Sequence, residues 1–166
     1  MKVRDAKIAD FDAILALNEA SVSLLSPLSQ RRLAELHAKA SLHRVAARDG
    51  AVLGFLLAFR EGADYDSPNY RWFAARYPRF LYVDRVVVAD AARGHGVGTL
   101  LYRDMFEFAA ASAVGLVTCE FDVDPPNAAS ERFHARFGFR EAGRQWLGAG
   151  RKQVSLQVAA VQGEKH

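Results

Sequence analysis

The chain has 166 residues, of which 51% are hydrophobic and 25% charged, a composition that argues against intrinsic disorder and suits one domain around a continuous apolar core. Its formal net charge of +3 rests on arginine more than lysine, and the basic residues are scattered rather than run together, which argues against a nucleic-acid footprint. With Cys119 as the only cysteine, no apolar stretch near the roughly 20 residues of a membrane helix and no apolar leader after Met1-Lys2-Val3-Arg4-Asp5, the expectation is a cytoplasmic protein that does not enter membranes.

Val3 to Ile8 reads as a short first strand. Asp10 then caps a helix carrying Phe11, Ile14, Leu15 and Leu17 at helical spacing. Ser26-Pro27-Leu28-Ser29 breaks it, and Ser29 caps a second helix with Leu33, Leu36 and Ala40 on one face. His43 to Arg48 and Ala51 to Arg60 flank Asp49-Gly50, the signature of a tight hairpin turn. Glu61 to Arg79 is long, polar and aromatic-rich, with Pro68 and Pro78; it reads either as a substrate lid or as a surface excursion with one short helix. Phe80 to Val88 is a buried strand, Thr99 to Ala111 a helix, Leu116 to Val123 a strand and Asn127 to Phe137 a helix. Phe139 to Leu147 and Gln153 to Val161 close the chain as an antiparallel pair. This alternation predicts an α/β or α+β fold, a mixed twisted sheet of six to seven strands with helices on both faces, formed by residues 1–166 as a single domain.

The segment richest in chemistry joins the buried strand to the following helix: Val86, Val87, Val88, then Arg93, Gly94, His95, Gly96, Val97, Gly98 and Thr99. Glycine lets backbone approach a bulky anion. A helix start offers unpaired N–H groups and the positive end of the macrodipole. Arg93 and the Thr99 hydroxyl add donors, so the turn reads as a pyrophosphate cradle. A P-loop is excluded because no lysine follows the last glycine, and a dinucleotide fingerprint fits poorly because Thr99 stands where its third glycine belongs.

Arg93-x-x-Gly96-x-Gly98 between a valine-rich strand and a helix resembles the signature of the GNAT superfamily of acyl-CoA-dependent N-acyltransferases. A second stretch, from Asn127 through Ser130, Phe133 and His134 to Gly138-Phe139, resembles that family's other motif. The resemblance implies acetyl transfer from acetyl-CoA to a primary amine by direct attack on the thioester. It implies that Val86, Val87 and Val88 lie on a strand splayed from its neighbour, with backbone groups for the pantetheine arm and a strand amide, at Val87, polarising the carbonyl. Arg93 to Thr99 would hold the pyrophosphate. Asn127 would contact pantetheine or simply cap a helix, and Phe133 would line the channel or belong to the core. Homodimers are common among similar proteins.

His134 stands where the family commonly has a tyrosine that protonates the departing thiolate. Histidine can serve as that acid near neutral pH, or the role can be lost. Asp84 shares a strand face with Tyr82 and Val86 by alternation, with Arg85 pointing the opposite way. Its carboxylate is then either half of a buried salt bridge or the base that takes the amine's proton, ahead of Glu120 and Asp122. Cys119, mid-strand among apolar residues, reads as inert. Glu61, Asp64 and Asp66 lend the long connection an acidic character that favours a cationic amine. The acceptor, a small molecule or a peptide amine, stays open. The rival readings are an acyl-CoA sensor without turnover and, with less support, an RNA- or protein-binding module. No metal site is expected.

Overall fold

The computed structural model describes residues 1–21 and 27–162. Seven strands form one sheet in the order β1-β2-β3-β4-β5-β7-β6. They are β1 (Lys2–Asp5), β2 (Leu42–Arg48), β3 (Ala51–Arg60), β4 (Leu81–Val88), β5 (Leu116–Asp124), β6 (Arg140–Leu147) and β7 (Lys152–Ala160). The helices are α1 (Phe11–Ala20), α2 (Gln30–Lys39), α3 (Pro68–Ala74), α4 (Val97–Ala111) and α5 (Ala128–Ala135).

β1 stops earlier than the sequence suggested, at Asp5, and Ile8 is 78% exposed at the start of a 3-10 turn. Asp10 holds that turn rather than capping α1. It accepts from the Lys7 N–H at 2.8 Å and from both terminal nitrogens of Arg4 at 2.8 and 2.9 Å. Ser29 does cap α2, accepting from the Arg32 N–H at 3.0 Å; Ser26, first residue of the expected break, lies outside the described residues. Asp49 and Gly50 both take positive φ, as the hairpin turn between β2 and β3 requires.

Helices cover both faces. α4 lays Val97, Leu101, Met105 and Ala109 on one face of the sheet, a spacing of four that keeps them on one side of the helix. α1, α2 and α3 cover the other face through Ile14, Leu33, Leu36, Tyr70 and Phe73. The Glu61–Arg79 connection is therefore a fixed wall: Tyr70 and Phe73 are core residues, and the Tyr70 hydroxyl donates to the Arg60 carbonyl at 2.6 Å.

Two irregularities position the site. β4 and β5, the only parallel neighbours among the described strands, pair solely at Leu81–Val117 and Tyr82–Thr118. Beyond Tyr82 they separate into a wedge. On its other edge β4 pairs with β3, and the register slips between Leu57–Arg85 and Ala58–Val83, leaving Asp84 without a partner. This bulge inserts one residue and resets the alternation of side chains.

Candidate active site

The wedge opens into a cleft of about 680 Å³ lined by β4, β5, the turn before α4, and α5. At its mouth Gly94 and Gly96 have φ of +80° and +79°, the left-handed region that L side chains rarely adopt. Gly96 is the N-cap of α4, which starts at Val97, two residues before the expected Thr99. Its carbonyl receives the first helical bond, from the Leu100 N–H at 3.0 Å. The Val97, Gly98 and Thr99 N–H groups are thus the orphan donors of the helix start. Arg93, Gly94, Gly96, Val97, Gly98 and Thr99 all line the cleft; His95 does not. The His95 N–H is spent on the Ala92 carbonyl at 3.2 Å, and its side chain is exposed. Arg93 pairs with Asp90 at 3.0 Å, with both side chains largely in solvent.

The β4 edge supplies more donors, though not all those anticipated. The Ala89 N–H bonds the Leu53 carbonyl at 2.8 Å, and Val87 sits opposite Phe55 in the same ladder. Bonded pairs in an antiparallel ladder recur every second residue, so the Val87 N–H faces β3. The polarising amide expected at Val87 is therefore turned away. The backbone groups of Val86 and Val88 face the wedge instead.

The bulge also corrects the expected side-chain directions. Val86 packs against the α4-side core, while Arg85 shares the opposite face with Asp84. The Arg85 Nε donates to Asp84 Oδ2 at 2.7 Å and its Nη1 to Asn18 Oδ1 at 3.0 Å. The Tyr65 hydroxyl donates to Asp84 Oδ1. Both charged side chains are only 6% exposed. Asp84 is thus held in a buried ion pair, the structural alternative raised above, while still lining the cleft.

Glu120 lies across the wedge. The Tyr82 hydroxyl bonds both of its carboxylate oxygens, at 2.8 and 2.9 Å. Burial, with the Asp84 charge nearby, pushes the Glu120 carboxyl up to about 8 despite Tyr82 and Asn69 on the side of the anion. Asn69 is in turn fixed by the Gln145 Nε2 at 2.8 Å. Asp122, two residues on, pairs with Lys152 at 3.0 Å.

On the other face, His134 is buried and occupied at both ring nitrogens. Nδ1 lies 2.7 Å from the Ser130 carbonyl, which only accepts, so Nδ1 carries the proton. Nε2 lies 2.6 Å from the Tyr102 hydroxyl and in the neutral ring accepts from it. Burial lowers the imidazole pKa, so the neutral form dominates. Phe133 lines the cleft and meets the Tyr102 ring edge-on at 4.9 Å. Asn127 lines it too while capping α5, its Oδ1 accepting from the Ser130 N–H at 3.2 Å. Cys119 is buried, and burial drives its thiol well above the ordinary range, as befits inert packing.

Residues 11–139 match the model of the acetyltransferase (GNAT) family. The chain belongs to that family. Family members transfer an acetyl group from acetyl-CoA, and the GNAT features met in the sequence, the glycine turn and the Asn127–Phe139 stretch, border one cleft. A phosphinothricin N-acetyltransferase of Streptomyces coelicolor is 47% identical over 58 residues, which span 35% of this chain and 33% of that protein. Solved structures share the fold. Ard1 from Thermoplasma volcanium superposes with a TM-score of 0.78 at 16% identity, covering 97% of each chain. Chaetomium thermophilum Naa20, in complex with a bisubstrate analogue, gives 0.76 at 20% identity over 100% of this chain and 95% of its own. No helix among the described residues is long and apolar enough to cross a membrane.

Proposed function

We propose that this GNAT protein is an N-acetyltransferase that moves an acetyl group from acetyl-CoA to a primary amine by direct attack. The observation that carries the reading is the wedge itself. An unpaired β4 edge runs along a cleft whose mouth is an α4 N-terminus with free N–H donors. Those donors suit a diphosphate, and the Val86 and Val88 backbone groups suit the amides of a pantetheine arm. The Val86 N–H is placed to polarise a thioester carbonyl in the wedge.

The amine enters on the face of α1 and α3 and must shed a proton before attack. Glu120 is the group we assign to accept it. Its carboxyl titrates at about 8, so it ionises near working pH and holds a proton well. Asp84, engaged by Arg85 and Tyr65, keeps an anion beside Glu120 and helps set that value. On the opposite face Tyr102 and His134 form a hydrogen-bonded pair on the side where the sulfur departs. The reading fits a small-molecule or peptide acceptor, and the single buried thiol suits a reducing cytoplasm.

The test is thiol release from acetyl-CoA against a panel of amines, run beside a direct measurement of acetyl-CoA binding. Amine-dependent release supports the assignment. Tight binding without release from any amine refutes it.

A further inference from the structure

The acceptor side of the cleft is electrically balanced, and the balance has a particular layout. The acidic residues of the Glu61–Arg79 connection do not contribute to it. Glu61 pairs with Arg60 at 3.0 Å, Asp66 with Arg32 at 3.3 Å and Asp64 with Lys39 at 3.8 Å; none of these acids lines the cleft. Inside, Asp84 is matched by Arg85 and Asp122 by Lys152. Glu120, with its carboxyl at about 8, is largely uncharged at neutral pH. A polyamine or other multiply cationic acceptor would need spare carboxylates beyond the reacting amine, and this wall has none to spare.

Lys152 differs from Arg85. Arg85 is 6% exposed and clamped, whereas Lys152 is 39% exposed at the rim, on a long flexible stem over a single partner. Glu120 and Asp122 occupy successive same-face positions of β5, about 7 Å apart at strand spacing. Glu120, Asp122 and Lys152 all line the cleft, and the Lys152 charge is near enough to act on Glu120, so one small acceptor can present an amine to Glu120 and a carboxylate to the ammonium over Asp122.

We infer that the acceptor is a free amino acid, or a close amino-carboxylate, whose carboxylate is read by Lys152 while its amine meets Glu120. This rests on the acetyltransferase reading above. Asp122 parks the lysine when the site is empty, and the incoming carboxylate replaces it as the lysine's counter-ion.

The experiment compares each of a set of free amino acids with its own carboxamide, and with putrescine, by thiol release from acetyl-CoA. Wild-type protein should favour the best free acid over its amide at least tenfold in kcat/KM. Lys152→Met should erase that preference mainly through the acid's KM, leaving the KM for acetyl-CoA within about twofold, and Lys152→Arg should restore most of it. Equal or better use of amides or putrescine overturns the inference while leaving acetyl transfer intact. So does a Lys152→Met protein that keeps the preference, or one whose defect lies in acetyl-CoA. Acetyl-CoA bound in calorimetry with no release from any acceptor sinks the acetyltransferase reading as well, which separates the two failures. Melting curves of the Lys152 variants check that each is folded.

Discussion

The Tyr102 hydroxyl lies 2.6 Å from His134 Nε2, joining α4 to α5 beside the cleft. Because Nδ1–H is committed to the Ser130 carbonyl, the neutral imidazole has no proton free for a leaving thiolate. Under the proposed function, proton delivery by this pair would need the phenol and the imidazole together. Tyr102→Phe and His134→Phe should therefore each lower kcat by one to two orders of magnitude, with acetyl-CoA affinity near normal. Their effects should be strongly non-additive, coupled by roughly 0.5–3 kcal/mol as for residues in direct contact. A double-mutant cycle in single-turnover rates checks it; additive effects would separate the two residues.

Glu120 should dominate the pH profile. Its carboxyl at about 8 predicts a rising limb in kcat/KM with a midpoint near that pH. Glu120→Gln should remove the limb and cost about 10²–10⁴ in rate. Tyr82 donates to the carboxylate and so favours the anion; Tyr82→Phe should move the limb to higher pH. Stability runs the other way. The raised value means that the folded chain holds a proton the unfolded chain has released, from about pH 4.5 to about 8, so this group costs stability as pH rises through that window. Glu120→Gln should accordingly melt higher than wild type at pH 8, and a lower melting temperature would contradict the burial argument.

The parts of this site that depend on periodicity were legible in the sequence. The strand expected from Leu116 to Val123 is present as β5, and Glu120 and Asp122, two residues apart on it, both line the cleft. The glycine turn was equally legible, because positive φ at Gly94 and Gly96 is a local demand on residue type. What escaped depends on pairing across the chain. The bulge at Asp84 exists only in register with β3, so simple alternation sent Arg85 to the wrong face and Val86 to the other. The same register turned the Val87 amide inward. Tyr102 falls inside the helix expected from Thr99 to Ala111, and nothing local marks a tyrosine on α4 as the partner of a histidine on α5. Lys152, at the first position of β7, carried no signal at all.

The Asp84–Arg85 pair should be a stability element as much as a functional one. Both side chains are 6% exposed, and removing one partner of a buried pair typically costs about 3–5 kcal/mol because the other charge stays buried. Arg85→Met should fall in that range by urea unfolding. Adding Asp84→Asn should recover a large part of the loss, since it removes the orphaned charge. A single Arg85→Met cost below about 1 kcal/mol would show that the carboxylate finds water or another partner.

Gly96 tests the anion cradle separately from chemistry. A Cβ at this position meets no heavy atom within 4 Å, so a substitution suffers from φ alone, about 1–2 kcal/mol. Gly96→Ala should therefore fold with a modest loss and bind acetyl-CoA weakly. Gly96→Glu adds a negative charge at the helix N-terminus and should abolish binding. Ligand at a hundred times Kd stabilises a protein by about 2.7 kcal/mol; that thermal shift should be present in wild type and absent in Gly96→Glu. An undiminished shift would place the diphosphate elsewhere.

A second imidazole should contribute to the acid sensitivity of the fold. His43 sits between Phe55 and His37, its Nδ1 2.8 Å from the His37 Nδ1, while Nε2 has no partner among the described residues. One of those Nδ1 atoms must donate and the other accept, an arrangement lost once both rings are protonated. Burial foremost, and then the His37 charge, lower the His43 pKa from 6.5 to about 4, with Asp10 opposing. The neutral ring is thus the folded form. Its stabilisation is complete above about pH 6.5 and is lost as pH falls toward 4, because the unfolded chain takes up the proton first. The shift corresponds to about 3 kcal/mol across that window. Urea midpoints measured from pH 7 to pH 4.5 should fall accordingly. In His43→Leu, which packs an apolar group between the same aromatic rings, the slope should shrink by close to one proton, and an unchanged slope would assign the acid sensitivity to other groups.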